Sequence, residues 1–308
     1  MIALLFPGQG AQKVGMGKAL ARDFAPARLA FEEANDTLGY DLAKICFEGP
    51  EELLTSTRYC QPAVLTTSVA AYRVAADHGV VGDLTMGHSL GEYSALVASG
   101  NLEFSEALRL VAERGSLTRD VADRVPGRMA AILGASEEDV EALCEEAGDV
   151  WPANYNCPGQ VVASGQHRGI DRLLDLARAR GMKARLLDVD GAFHSSIMAP
   201  AADKLRGALD HVKLKDTPSI PFLSATSAAF ERGDQLKALL AQQLTAPVRF
   251  TQTVKIALDH GVDTFVEFGP KRVLVGLVLR VRNDVETYHL GEPEHLAALE
   301  PVGARLHY

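Results

Sequence analysis

The stretch Gly87-His88-Ser89-Leu90-Gly91 constrains this chain more than any other. It follows a short apolar run at 83–87 and precedes the helix-like "GEYSALVASG". Glycines on either side let a backbone turn sharply from strand to helix, so that the serine hydroxyl stands exposed above a sheet. Strand, tight turn, nucleophile and helix are the context this device requires, and the sequence offers them in that order. Ser89 is therefore the candidate nucleophile. A serine hydroxyl is weakly nucleophilic at neutral pH, so a base must lie within hydrogen-bond reach.

The remaining pattern predicts an α/β fold. Residues 1–6 read as a buried strand, and "PGQGAQKVGMG" as a glycine-rich loop running toward a helix. Helical periodicity covers 19–37, resumes across 51–79 with a break at Gln61-Pro62, and returns in "SEALRLVAERGSLTRDVADRV". From about 127 to 190 the order changes to strand, helix, strand, strand, helix, strand. The first of these helices opens with a serine cap and an acidic turn, and the βαββαβ order is that of a ferredoxin-like subdomain. Downstream, "IPFLSAT" and "TFVEFGP" read as strands, 234–244 and "KRVLVGLVLRVR" as helices, and the tail after Leu290 carries weak order signals. The expectation is an α/β-hydrolase-like catalytic domain, made from 1–126 and 191–308 around a parallel sheet, with an inserted subdomain at 127–190.

Composition narrows the function classes. A chain of 308 residues, 47% apolar and 23% charged, is an ordinary globular protein. A net charge of −9 argues against a general nucleic-acid binder. The opening run of six apolar residues has no basic leader and suits neither a signal peptide nor a membrane span. Cys46, Cys60, Cys144 and Cys157 are widely spaced and form no C-x-x-C pair, a pattern of reduced thiols in the cytoplasm rather than of disulfides or a zinc site.

Nine histidines are available as the base. His88 neighbours the nucleophile, so its side chain is expected to point away and pack. His78 and His260 precede glycines at helix ends and read as caps. His167, His211, His289, His295 and His307 have polar or terminal surroundings and read as solvated. His194, in "GAFHSS", lies where the chain returns from the inserted subdomain and a loop can reach the mouth of the main sheet. The residues alone leave the choice open.

Eight motifs in one order carry a resemblance: "FPGQGAQKVGMG" at 6–17, "QPA" at 61–63, "GHSLGEYSAL" at 87–96, "AERG" at 112–115, "NCPGQVV" at 156–162, "AFHS" at 192–195, "QLTAPVRF" at 243–250 and "EFGP" at 267–270. Together, and over residues 1 to about 290, the chain resembles the malonyl-CoA:acyl carrier protein transacylase family, including the acyltransferases of polyketide synthases. The resemblance implies roles. Ser89 carries the acyl group and His194 is its base and later acid, oriented by the backbone carbonyl of Gln243 instead of a carboxylate. The backbone N–H groups of Leu90 and Gln9 form the oxyanion hole. Arg114 grips the free carboxylate of malonyl through a planar fork of charge-assisted bonds. Gln61 lines the site; Asn156, with Asn154, suits a substrate contact or the forming of a turn equally. Phe193, before the base, is the residue associated with malonyl over methylmalonyl, its ring filling the space of an α-methyl. Gly191 departs from the histidine or tyrosine common in multidomain synthases, and with Ala192 is closer to free-standing acyltransferases.

The implied activity moves malonyl from malonyl-CoA to the phosphopantetheine thiol of an acyl carrier protein, for fatty-acid or polyketide synthesis. It needs no metal or other cofactor and is expected of a cytoplasmic monomer. Lys183 with Arg185, or Lys271 and Arg272 with Arg280 and Arg282, are candidates for docking an acidic carrier. The competing reading is a serine esterase or thioesterase of the α/β-hydrolase class, which usually places an acid and then a histidine late in the chain. No such pair stands out.

Overall fold

The computed structural model describes residues 1–189 and 191–304. Its strands, in chain order, are β1 (Ile2–Phe6), β2 (Leu84–Gly87), β3 (Gly127–Leu133), β4 (Val150–Cys157), β5 (Gln160–Gln166), β6 (Lys183–Leu186), β7 (Phe222–Ser224), β8 (Ala229–Glu231), β9 (Thr264–Phe268) and β10 (Glu286–Leu290). Six form one sheet in the order β10-β9-β1-β2-β7-β8. Its pairings are parallel except that β8 returns antiparallel to β7. Every residue of β1, "IALLF", is buried, as befits a parallel strand covered on both faces. The alternation of side chains along it serves two layers: Ile2, Leu4 and Phe6 join the larger core with the helices of the N-terminal half, while Ala3 and Leu5 pack toward Phe250, Val254 and Val278.

The other four strands form an antiparallel sheet in the order β4-β5-β3-β6. Helices Glu137–Ala147 and His167–Ala179 cover one face, around Ala130, Ile132, Val140 and Leu173. The opposite face, Met129, Ala131, Ala153 and Val162, packs with Leu187, Val189 and Phe193. Strand β4 is tied to the larger sheet's side of the molecule: Tyr155 N–H donates to the Val248 carbonyl and Val248 N–H to that of Ala153, each at 2.8 Å. The small sheet therefore forms a wall beside the segment that carries His194.

Several local expectations are corrected. Helix Thr57–Asp77 runs straight through Pro62. Pro62 is past the first turn and forfeits an intrahelical bond, but the helix is buried without interruption from Cys60 to Ala71, so packing maintains it. A helix at Phe250–Asp259 buries Phe250, Val254 and Ala257 on one face. Residues 286–290, unassigned from the sequence, pair with β9. The tail that follows is ordered: a 3₁₀ segment at Pro293–Leu299 leads into helix Glu300–Ala304, with Leu299 and Val302 in the core. The strand expected from 182 onward is confined to Lys183–Leu186, an edge that pairs with β3 alone. The expected boundary at residue 190, residues 305–308 and His307 lie outside the described residues. No helix among the described residues is long and apolar enough to cross a membrane.

Candidate active site

Ser89 stands at the carboxyl end of β2, where ligands collect in open parallel sheets. Its φ of 52° is left-handed, an unusual state for a residue with a side chain. The helix that follows starts at Gly91. A Cβ there would sit 1.9 Å from the Phe6 carbonyl oxygen, so this position of the elbow admits only glycine. Gly8 plays the same part in the facing loop: its Cβ would lie 2.5 Å from the His88 carbonyl oxygen. Close approach of the two loops sets Gln9 beside Leu90 at the cavity wall. The backbone N–H groups of Gln9 and Leu90 have no acceptor among the described residues.

His194 Nε2 lies 2.8 Å from Ser89 Oγ. Its Nδ1 lies 2.9 Å from the Gln243 carbonyl oxygen and 3.1 Å from that of Ala246. A carbonyl only accepts, so Nδ1 carries the proton and Nε2 presents its lone pair to the Ser89 hydroxyl. His194 also has a left-handed backbone, with φ of 58°. Strain of this kind costs about 1–3 kcal/mol per residue and persists where surrounding structure holds it. Burial, then the nearby Arg114 charge and His88, lower the His194 pKa to about 3. The imidazole is neutral at pH 7, as a general base must be.

Arg114 is buried in helix Phe104–Arg124 at 4% exposure. Its Nη1 donates to Gln61 Oε1 at 2.7 Å, and its Nη2 to Gln243 Oε1 at 3.0 Å and Ser89 Oγ at 3.3 Å. Its Nε has no hydrogen-bond partner. Among the described residues no carboxylate forms an ion pair with it. A buried cation with an unpartnered N–H beside a serine hydroxyl is chemically suited to an anionic group.

Gln9, Gln61, Ser89, Leu90, Arg114, Phe193 and His194 line one cavity of about 100 Å³. Gln243 stands behind it, holding His194 through its carbonyl and Arg114 through its side chain. Asn156 is not in the wall. Its Oδ1 accepts from His88 Nε2 at 2.8 Å, and Asn154 lines the cavity in its place. Asn156 falls where the register of β4 shifts, between Tyr155 and Cys157, and has no partner among the described residues of β5. His88 packs against Phe250 as expected, yet it also lines the cavity. His289 and His295 are half-buried and engaged: their ring centroids lie 5.0 Å apart at a tilt of 49°, His289 Nε2 pairs with the Gly269 carbonyl, and His295 Nδ1 accepts from Gly291 and Glu292 N–H. His78 and His260 each bond a carbonyl of their own helix.

Sequence reasoning missed three contributions. Met129 of β3, with Leu187 and Val189 from the segment after β6, adds an apolar lining to the cavity. The side chain of Gln243 donates to the Ser89 carbonyl and to Glu92. Glu92 itself is fully buried three residues beyond the nucleophile. The one signal for it was a carboxylate in the first turn of an otherwise apolar helix. Among the described residues, no three acidic, cysteine or histidine side chains are grouped to hold a metal. All four cysteines are buried free thiols.

Fold and cavity together are those of a serine-dependent acyltransferase. Residues 3–290 match the acyl transferase domain, and the chain belongs to that family. The malonyl CoA-acyl carrier protein transacylase of Bacillus subtilis (strain 168) is 43% identical over 300 residues, covering 95% of this chain and 94% of that protein. Its namesake from Escherichia coli (strain K12) is 39% identical over 302 residues, covering 96% and 97%. Among solved structures, the transacylase from Coxiella burnetii has a TM-score of 0.95 at 34% identity, covering 98% of this chain and 97% of that one. A malonyl-transacylase in complex with its type II polyketide synthase acyl carrier protein gives 0.94 at 38%, covering 97% and 99%.

Proposed function

We propose that this protein transfers malonyl from malonyl-CoA to the phosphopantetheine thiol of an acyl carrier protein, for fatty-acid or polyketide synthesis. The observation that carries this reading is the buried Arg114 guanidinium, without a carboxylate partner, 3.3 Å from the nucleophile Ser89. Esterases need no such cation. The relatives named above act, by their names, on malonyl-CoA and acyl carrier protein.

Malonyl-CoA enters with its free carboxylate on Arg114 and its thioester oxygen toward the N–H groups of Gln9 and Leu90. Ser89 Oγ attacks the carbonyl carbon and its proton passes to His194 Nε2. The two N–H groups stabilise the tetrahedral oxyanion, at about 3 kcal/mol for one donor. Collapse breaks the carbon–sulfur bond, and His194 returns the proton to the departing thiolate. Coenzyme A leaves with its thiol restored and malonyl remains as a Ser89 ester. The carrier's pantetheine thiol then gives its proton to His194 Nε2 and attacks the ester carbon. The carbon–Oγ bond breaks and the proton goes back to Ser89. Every charge that develops is met by this chain's own groups, so the reaction requires no metal or other cofactor.

A second cleft of about 370 Å³ shares Gln9 and Val189 with the cavity and gives a pantetheine arm its approach. The site is complete within one chain, which supports a monomeric enzyme, and its thioester substrates support a cytoplasmic location. Of the two basic clusters, Lys271, Arg272 and Arg280 make hydrogen bonds to neighbouring groups. Arg282 pairs with Asp284. Lys183 and Arg185 stand exposed on the edge strand β6. We place carrier docking there.

Intact-mass analysis after exposure to malonyl-CoA tests the reading. The expected result is one malonyl adduct, absent in Ser89→Ala and discharged by a holo acyl carrier protein. Rapid hydrolysis of malonyl-CoA with no carrier dependence would establish an esterase instead.

A further inference from the structure

We propose that Glu92 is the positioning residue of the acyl-carboxylate site, acting through the side chain of Gln243 on Arg114. This rests on the malonyl reading above and deepens it.

Glu92 has no exposure, and five groups donate to its carboxylate. Oε1 accepts from the Ser224 hydroxyl at 2.6 Å, Ala225 N–H at 2.7 Å and Thr226 N–H at 3.4 Å. Oε2 accepts from the Thr226 hydroxyl at 2.9 Å and from Gln243 Nε2. Two backbone N–H groups and an amide NH₂ can only donate, so the Glu92 oxygens accept from them, and this fixes what faces the carboxyl. Gln243 must turn its NH₂ toward Glu92, where it also meets the Ser89 carbonyl at 2.9 Å. Its Oε1 is thereby turned toward Arg114, at 3.0 Å. One amide is thus clamped between the Glu92 carboxyl and the Arg114 guanidinium.

This arrangement also bears on charge. Arg114 is buried and forms no ion pair among the described residues; the Glu92 carboxyl stands one amide away, its ionised form opposed by burial and favoured by the groups that donate to it. When the acyl carboxylate binds, it meets a guanidinium already held by Gln61 and Gln243 in one orientation. Preorganisation of this kind raises affinity by removing the cost of ordering.

Glu92→Gln keeps the shape but leaves one oxygen for two banks of donors. Its new NH₂ faces either the Ala225 and Thr226 N–H groups or the NH₂ of Gln243. The latter flips the Gln243 amide and sets donor against donor at Arg114.

The test measures kcat/KM for Ser89 acylation by malonyl-CoA and by acetyl-CoA, which has no carboxylate to place. In Glu92→Gln the malonyl value is expected to fall at least 100-fold and the acetyl value less than 5-fold, with KM for malonyl-CoA rising. Combining it with Gln243→Ala is expected to add nothing beyond Gln243→Ala alone, because the effect travels through that side chain. Equal losses for both donors, or fully additive losses in the double variant, overturn the proposal. Ser224→Ala and Thr226→Val, which strip donors from Glu92 and touch no catalytic group, are expected to lower the malonyl-to-acetyl ratio severalfold. An unchanged ratio there counts against it even if Glu92→Gln does not fold. Failure of the parent enzyme to load malonyl refutes the transfer function; a loading parent with an insensitive ratio refutes only this inference.

Discussion

The buried base makes a prediction about stability that can be worked through. In the folded chain His194 titrates at about 3, driven down first by burial and then by Arg114. In the unfolded chain it titrates near the ordinary imidazole value of 6.5. Between those values the unfolded state binds a proton that the native state refuses, so stability rises with pH across this window and is lost as pH falls from 6.5 toward 3. At pH 5 the unfolded histidine is about 1.5 units below its pKa, and at 1.36 kcal/mol per unit this group alone lowers stability by about 2 kcal/mol relative to pH 7. His194 is only 5% exposed, so solvent screens little of this. The perturbation is His194→Ala, which removes the titration. Urea unfolding of both proteins at pH 7 and pH 5 gives a double difference in which every other group cancels. That includes Glu92 and Glu267, whose carboxyls are pushed up by burial and act in the opposite direction. The parent is expected to lose about 2 kcal/mol more than the variant between the two pH values. Equal losses would mean that the imidazole titrates normally and that the site is wetter than described. The same shift predicts that acylation by malonyl-CoA, followed as kcat/KM, shows no fall with an apparent pKa near 6.5 from the base.

Other outcomes follow from single contacts. Arg114→Ala removes the guanidinium proposed to hold the acyl carboxylate, where two charge-assisted bonds would each contribute about 1.5 kcal/mol or more. Malonyl loading is then expected to fall by about 100-fold or more, with acetyl loading little changed, as read by adduct mass after rapid quenching. Phe193→Ser opens the wall beside His194. Competition between methylmalonyl-CoA and malonyl-CoA is expected to shift by about 10- to 200-fold toward the branched donor, the range that one methyl group commands. Lys183→Glu with Arg185→Glu is expected to slow transfer to the carrier, most visibly at low salt, and to leave acylation by malonyl-CoA intact. Equal slowing of both steps would remove β6 as the docking edge.

What the sequence made legible follows from where each signal lives. The elbow was readable because glycines 87 and 91 and the flanking strand and helix are local, and a close approach of 1.9 Å to Phe6 leaves glycine no substitute. The βαββαβ order was readable because each element has its own periodicity, and the resulting strand order, β4-β5-β3-β6, is the ferredoxin-like one. His194 was not separable from eight other histidines by local pattern, because its distinction is a fold-level meeting with residues 89, 243 and 246. Glu92 read as an ordinary first-turn acid, since its partners arrive from 224–226 and 243. Pro62 misled because local propensity was set against a helix buried on nearly every side. The ordered tail after Leu290 has the same explanation: Leu299 and Val302 are held by a core assembled from distant segments.

The size of the cavity governs traffic through the enzyme. At about 100 Å³ the cavity is small, suited to a short unbranched acyl unit and the end of one thiol. Outgoing and incoming sulfurs must take turns at the same doorway, so free coenzyme A and loaded carrier obstruct each other.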